Sequence, residues 1–173
     1  MFEPVPDPNV HTPEWEVDRS DTPVRMRATR VGAAAGTQRL GASVYEVLAG
    51  GAVAPYHVHH GNEELLVVLS GEPLLRTPDG TRRLQPGAVV SFRPGIGGAH
   101  RISNPGPDPI RVLLVSTMEF PEVAEYPETG TTLTLTGPGQ GKAFPVGADQ
   151  DFVELYSQAI AADLELDQAD GAE

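Results

Sequence analysis

The sequence predicts an all-β fold, an antiparallel double-sheet jelly roll, on three observations. Between residues 24 and 117, apolar residues fall in short runs and alternations, with no convincing helical spacing. Turn residues separate those runs, most clearly Pro78-Asp79-Gly80 and Pro86-Gly87. Neighbouring runs are close enough to pair as hairpins, the order expected of a jelly roll.

Taken in order, residues 1–23 hold five prolines and few apolar side chains. Pro4, Pro6 and Pro8 alternate, which suits an extended arm better than a helix. Phe2, Val5, Val10 and Trp15 can anchor that arm. Val24–Val31 alternates apolar and basic residues, the mark of a half-exposed strand, and Gly32–Thr37 is a small-residue loop. Leu40–Leu48, Val53–His59 and Glu64–Leu69 follow as strands, the last rich in Leu and Val and so buried. Pro73–Thr77 and Thr81–Leu84 form a hairpin; Ala88–Phe92, His100–Ser103 and Ile110–Thr117 complete the set.

Residues 24–120 therefore form the expected barrel, and 121–173 a C-terminal extension. Phe120–Gly130 is acidic and interrupted by proline, as a surface loop would be. Thr131–Thr136 alternates cleanly, as an added edge strand would, and Gly137–Gly141 is a flexible loop. Residues 151–166 carry apolar side chains at helical spacing, although 151–156 also suits an extended segment. The acidic end, with Asp163, Glu165, Asp167, Asp170 and Glu173, is expected to be partly disordered.

Composition narrows the function. The 173 residues suit one domain with extensions, long enough to bury a core without disulfides. There is no cysteine, so any metal must be held by nitrogen and oxygen. The net charge is −12, from 24 acidic and 12 basic residues, a field that repels nucleic acid and anionic membranes. The N-terminus has neither the basic nor the apolar region of a signal peptide, and no run of about 18 apolar residues occurs. The expectation is a cytoplasmic protein, although a chain without cysteine also tolerates export.

One stretch concentrates the chemistry. His57 and His59 are two apart, so on a strand both imidazoles point to one face. A turn through His60-Gly61-Asn62 leads to Glu64 at the start of the next strand, and a third histidine, His100, comes later. Three imidazoles and a carboxylate suit a divalent transition metal. Glu63 should point away from Glu64. Leu66 and Val68 share the Glu64 face and are expected to make the cavity wall apolar.

These residues resemble the two motifs of the cupin superfamily. The first runs Gly51, His57, His59, Glu64, Gly71 with every family spacing met. The second runs Gly87, Pro94, Gly97, His100, Asn104, with a rearranged loop before His100 and an intact Gly-x-x-His-x-x-x-Asn end. Pro121–Gly130 is similar to the tail of small single-domain bacterial cupins of largely unassigned activity. The resemblance implies a double-stranded β-helix barrel and a homodimer formed by strand exchange or sheet packing. It also implies a metal (Mn, Fe, Ni, Cu or Zn) on His57, His59, Glu64 and His100.

Four such ligands leave two positions of an octahedral ion free for water, dioxygen or substrate. One carboxylate against a divalent ion leaves a net positive shell, which favours an anionic ligand. Oxygenation, decarboxylation and isomerisation of a small organic acid or polar metabolite all occur on this ligand set in the superfamily. The alternatives are a non-catalytic module that binds or senses a small molecule, and a barrel that keeps its metal for stability alone. No catalytic acid or base stands out beyond the ligands. Asn104 is expected to fix the chain by hydrogen bonds, Arg93 and Arg101 to be surface or intersubunit charges, and Tyr45 and Tyr56 to pack in the core. His11 and His60 stand outside the cluster.

Overall fold

The computed structural model describes residues 7–145, and within them the chain is almost entirely antiparallel β-structure. Strands β1 (Val17–Asp18) and β2 (Met26–Thr29) precede a single helical turn, α1 (Val31–Ala34). There follow β3 (Gly41–Val47), β4 (Val58–His59), β5 (Glu64–Ser70), β6 (Leu74–Thr77), β7 (Gly80–Arg83) and β8 (Val89–Phe92). A 3-10 turn, Ile96–Gly98, leads to β9 (Arg101–Ser103) and β10 (Ile110–Ser116). The last strands are β11 (Glu122–Tyr126), β12 (Thr131–Gly137) and β13 (Gln140–Pro145).

They form three sheets, in the orders β1-β2-β3-β10-β5-β8, β13-β12-β11-β4 and β7-β6-β9. Register decides which side chains share a face. In the largest sheet, Tyr45, Val112 and Val68 lie in one row; Ser43, Leu114, Leu66 and Val90 in the next; Gly41, Ser116, Glu64 and Phe92 in the third. The first two rows are mostly apolar. With Leu75, Leu84, Phe92 and Ile102, their buried residues Leu66, Val68, Val112 and Leu114 form the main core. Fully burying each large aliphatic side chain contributes about 1.5–3 kcal/mol. The third row puts the Glu64 carboxylate at the rim of that core. Opposite it, His59 pairs with Ala124, and Glu122 with Leu135, on one face of the second sheet.

Several local expectations are corrected. Residues 31–34 are a helical turn rather than loop, packed against β3. Of Val53–His59, only Val58–His59 is a strand; Ala52 and His57 make single bridges to Ser103 and His100 around Pro55. The stretch after Phe120 is not a surface loop but β11, paired on both sides. Consequently Thr131–Thr136 is not at an edge: β12 lies between β11 and β13. Gly137–Gly141 is not a loop: Gly137 pairs with Gln140 and Gly141 with Leu135, and only Pro138-Gly139, with Gly139 at φ +69°, connects the strands. In the arm, β1 pairs with β2, and Arg111 lies over the Trp15 ring while donating to the His11 carbonyl. The expected helix over 151–166 and the acidic end lie outside the described residues.

Candidate metal centre

His57 and His100 are held by the sheet itself. Each backbone N–H donates to the other's carbonyl, at 3.1 and 2.9 Å. The 3-10 turn delivers His100, and Gly98 inside it has no alternative: a Cβ there would lie 1.8 Å from the Arg93 carbonyl oxygen. The Gly95 N–H donates to His59 O at 2.7 Å, tying the same turn to β4. Glu64 begins β5, after the turn that follows His59.

The three imidazoles present the same nitrogen. His57 Nδ1 is 2.9 Å from Pro55 O and His100 Nδ1 2.9 Å from Gly98 O. His59 Nδ1 is 3.3 Å from a Glu122 carboxylate oxygen. These oxygens only accept, so each Nδ1 carries a proton, and in the neutral ring Nε2 is the nitrogen left with its lone pair. Glu64 Oε2 lies 3.5 Å from His59 Nε2 and 3.3 Å from His100 Nε2. Single donor atoms of His57, His59 and Glu64 all fall within 4.8 Å of one another. Glu64 Oε2 and His100 Nε2 are buried without a hydrogen-bond partner among the described residues. Buried polar atoms are rarely left so, and a divalent cation would satisfy both at once. Neutral imidazole and carboxylate are the donor set such an ion takes, so these residues fit one.

Electrostatics agree. Burial, then the neighbouring His100 and His59, push the His57 pKa down to about 4, so this ring is neutral at physiological pH. Burial acts to raise the Glu64 pKa, but contact with His100 and the fields of His59 and His57 hold it below the ordinary value. Tyr45 and Tyr126 are both raised, first by burial and then by Glu64. Phe92 stacks on the His100 ring with centroids 3.7 Å apart, and Tyr126 on His57 at 5.8 Å.

One residue of this region escaped the sequence reading. Glu122, 1% exposed, accepts from His60 N (3.1 Å), Gly61 N (3.1 Å), Asn62 Nδ2 and His59 Nδ1. Asn62 Oδ1 in turn accepts from Thr117 Oγ1 and Glu119 N. The network fixes the turn between His59 and Glu64 against β11.

A cleft of about 210 Å³ opens onto His59 and Glu64. Its wall includes Ser43, Tyr45, Leu114, Phe120, Glu122 and Leu135. Leu66 and Val68, expected in that wall, lie beneath it in the core, and Leu114 and Leu135 supply the apolar surface instead. Tyr45 thus borders the cleft. Neither Arg93 nor Arg101 does, and Tyr56 lies under the Arg76 guanidinium. His60 pairs with Glu125 at 3.1 Å, away from the cluster. Asn104 donates to the carbonyls of Val47 and Asp108 and accepts from Gly106 N, a purely structural set of bonds.

Comparison with known proteins follows this geometry. The family model described as "Cupin domain" matches residues 44–116. Among solved structures, the chain is similar to a protein from Acidithiobacillus ferrooxidans named "Putative sugar phosphate isomerase". That match has 25% identity and TM-score 0.67, and covers 73% of this chain and 80% of the other. A second, a sugar phosphate isomerase of the cupin superfamily from Silicibacter pomeroyi, has 19% identity and TM-score 0.71, covering 86% and 98%. The polyketide cyclase RemF from Streptomyces resistomycificus has 24% identity and TM-score 0.52, covering 70% and 84%. The latter two likenesses establish the fold alone. No curated protein matches the chain.

Proposed function

The chain belongs to the cupin superfamily, and from that premise we propose that it is a metal-dependent enzyme acting on a small oxygen-bearing metabolite. His57, His59, His100 and Glu64 would hold a divalent transition ion. The observation that carries this reading is that His59 and His100 turn Nε2 to Glu64 Oε2, with His57 grouped beside them, while every Nδ1 faces an acceptor oxygen elsewhere. Bound there, the ion supplies a Lewis acid that polarises a substrate oxygen. The protein does the rest. Ser43 and Tyr45 offer hydroxyls that orient a substrate in the cleft, while Leu114, Phe120 and Leu135 exclude water from it.

Of the reaction types open to such a site, isomerisation of a hydroxy-carbonyl compound has the most support, through the similarity to the Acidithiobacillus ferrooxidans protein. Elemental analysis of the purified chain, beside a His57→Ala variant, tests the reading. About one transition ion per wild-type chain, lost in the variant together with turnover of hydroxy-carbonyl compounds, is expected. Full turnover by a metal-free preparation would overturn it.

A further inference from the structure

The substrate's charge can be read from the walls of the cleft. A divalent ion beside Glu64 alone would leave one net positive charge and draw an anion. Glu122 cancels that charge. Both its oxygens accept from N–H donors, Oε1 from His60 N and His59 Nδ1 and Oε2 from Gly61 N and Asn62 Nδ2, the bonding pattern that suits a carboxylate. It also borders the cleft. Two carboxylates against a divalent ion leave no net charge.

Nothing nearby restores it. Among the described residues no lysine or arginine lines this cleft. Residues 1–6 and 146–173 contain neither residue type. The adjoining recess, which shares Ser43, Met118 and Phe120, includes Arg30, but that guanidinium is paired with Glu16 at 2.8 Å. Phosphate recognition ordinarily relies on guanidinium, ammonium or a helix N-terminus. The remaining wall is hydroxyl (Ser43, Tyr45) and apolar (Leu114, Phe120, Leu135).

Resting on the metal-site reading above, we propose that the cleft selects an uncharged, partly apolar compound that offers the metal carbonyl and hydroxyl oxygens, and discriminates against phosphate esters. The site thereby departs from the sugar phosphates named for similar structures, while keeping a hydroxy-carbonyl group as the reacting unit.

The test uses two probes with one ring, 2-hydroxyacetophenone and phenyl phosphate, titrated into the cobalt(II)-loaded chain. The visible spectrum of the cobalt reports binding. Each affinity is divided by that of the same probe for aqueous cobalt ion, which removes the metal's own preference. The expected result is a normalised preference for the neutral ketone of at least tenfold. An equal or reversed preference overturns the proposal. Leu135→Lys, which adds a cation to the wall, should shift the preference toward phenyl phosphate by at least tenfold; no shift would also count against it. Failure to take up about one cobalt ion per chain would instead reject the metal-site reading underneath, so the two failures are separable.

Discussion

The His57 and His100 rings stand 4.5 Å apart because their backbones exchange two hydrogen bonds across an isolated antiparallel bridge. The ladder sets their spacing, so both rings would already be in place when an ion binds. Replacing either ring by Ala should cost more metal affinity than the roughly 10–100-fold typical of losing a supporting residue. Competition against a chromophoric chelator measures this. Unchanged stoichiometry and affinity in both variants would remove these residues from the ligand set.

Glu122→Gln keeps the volume but turns an amide N–H₂ toward donors. We expect metal affinity to fall about 10–100-fold. Stability should drop by about 1–3 kcal/mol, because at least one buried donor loses its acceptor. Calorimetric titration and urea unfolding separate the two effects. A variant as tight and as stable as wild type would show that the carboxylate only fills space.

Acid should weaken the metal-free fold through His57. Its folded pKa is depressed from 6.5 to about 4, chiefly by burial. Between those values the unfolded chain holds a proton that the folded chain does not, so stability declines as pH falls. The loss is on the order of 3 kcal/mol across the window. Glu64, held below its ordinary 4.5, adds a loss of the same sign at lower pH still. Urea unfolding with chelator present at pH 7.5 and pH 5 reads this out, with His57→Gln as the flatter control. Stability that rises toward pH 5 would contradict the assignment.

Asn104→Ala removes three hydrogen bonds from a residue that is 1% exposed. The stranded Val47 carbonyl makes this costly, by about 2–3 kcal/mol. Metal stoichiometry should hold, since Asn104 touches none of the four donors. Loss of metal from a variant that remains folded would assign this residue a second role.

The candidate donors that lie together, His57, His59 and Glu64 with His100 beside Glu64, were legible because two short motifs fix their spacing. The strand rhythm between residues 24 and 117 was legible because its buried apolar residues gather in two clusters that share Tyr45 and Val53. Glu122 was hidden for a definite reason. In β11 the buried positions are Glu122 and Ala124, while Val123 is exposed, so the usual alternation is inverted. Pro121 and Pro127 bracket it, and five residues between prolines look like loop. The mistake then spread, since β12 can be recognised as internal only once β11 beside it is known. The strand over 53–59 was overextended because Pro55 breaks the ladder, leaving His57 positioned by a single bridge. Tyr45 packs against the core, as expected, and its place at the cleft rim depends on long-range register, which local pattern does not carry.

Glu122 lies past the end of the matched family span, on a strand that zips onto β4 beside His59. A truncated gene stopping at Ser116 would encode every candidate donor, yet its product would surround the ion with one formal positive charge too many. Such a minimal barrel should turn into a scavenger of anions, because the residue that we propose sets the ligand preference lies in a segment that a motif-guided trim would discard.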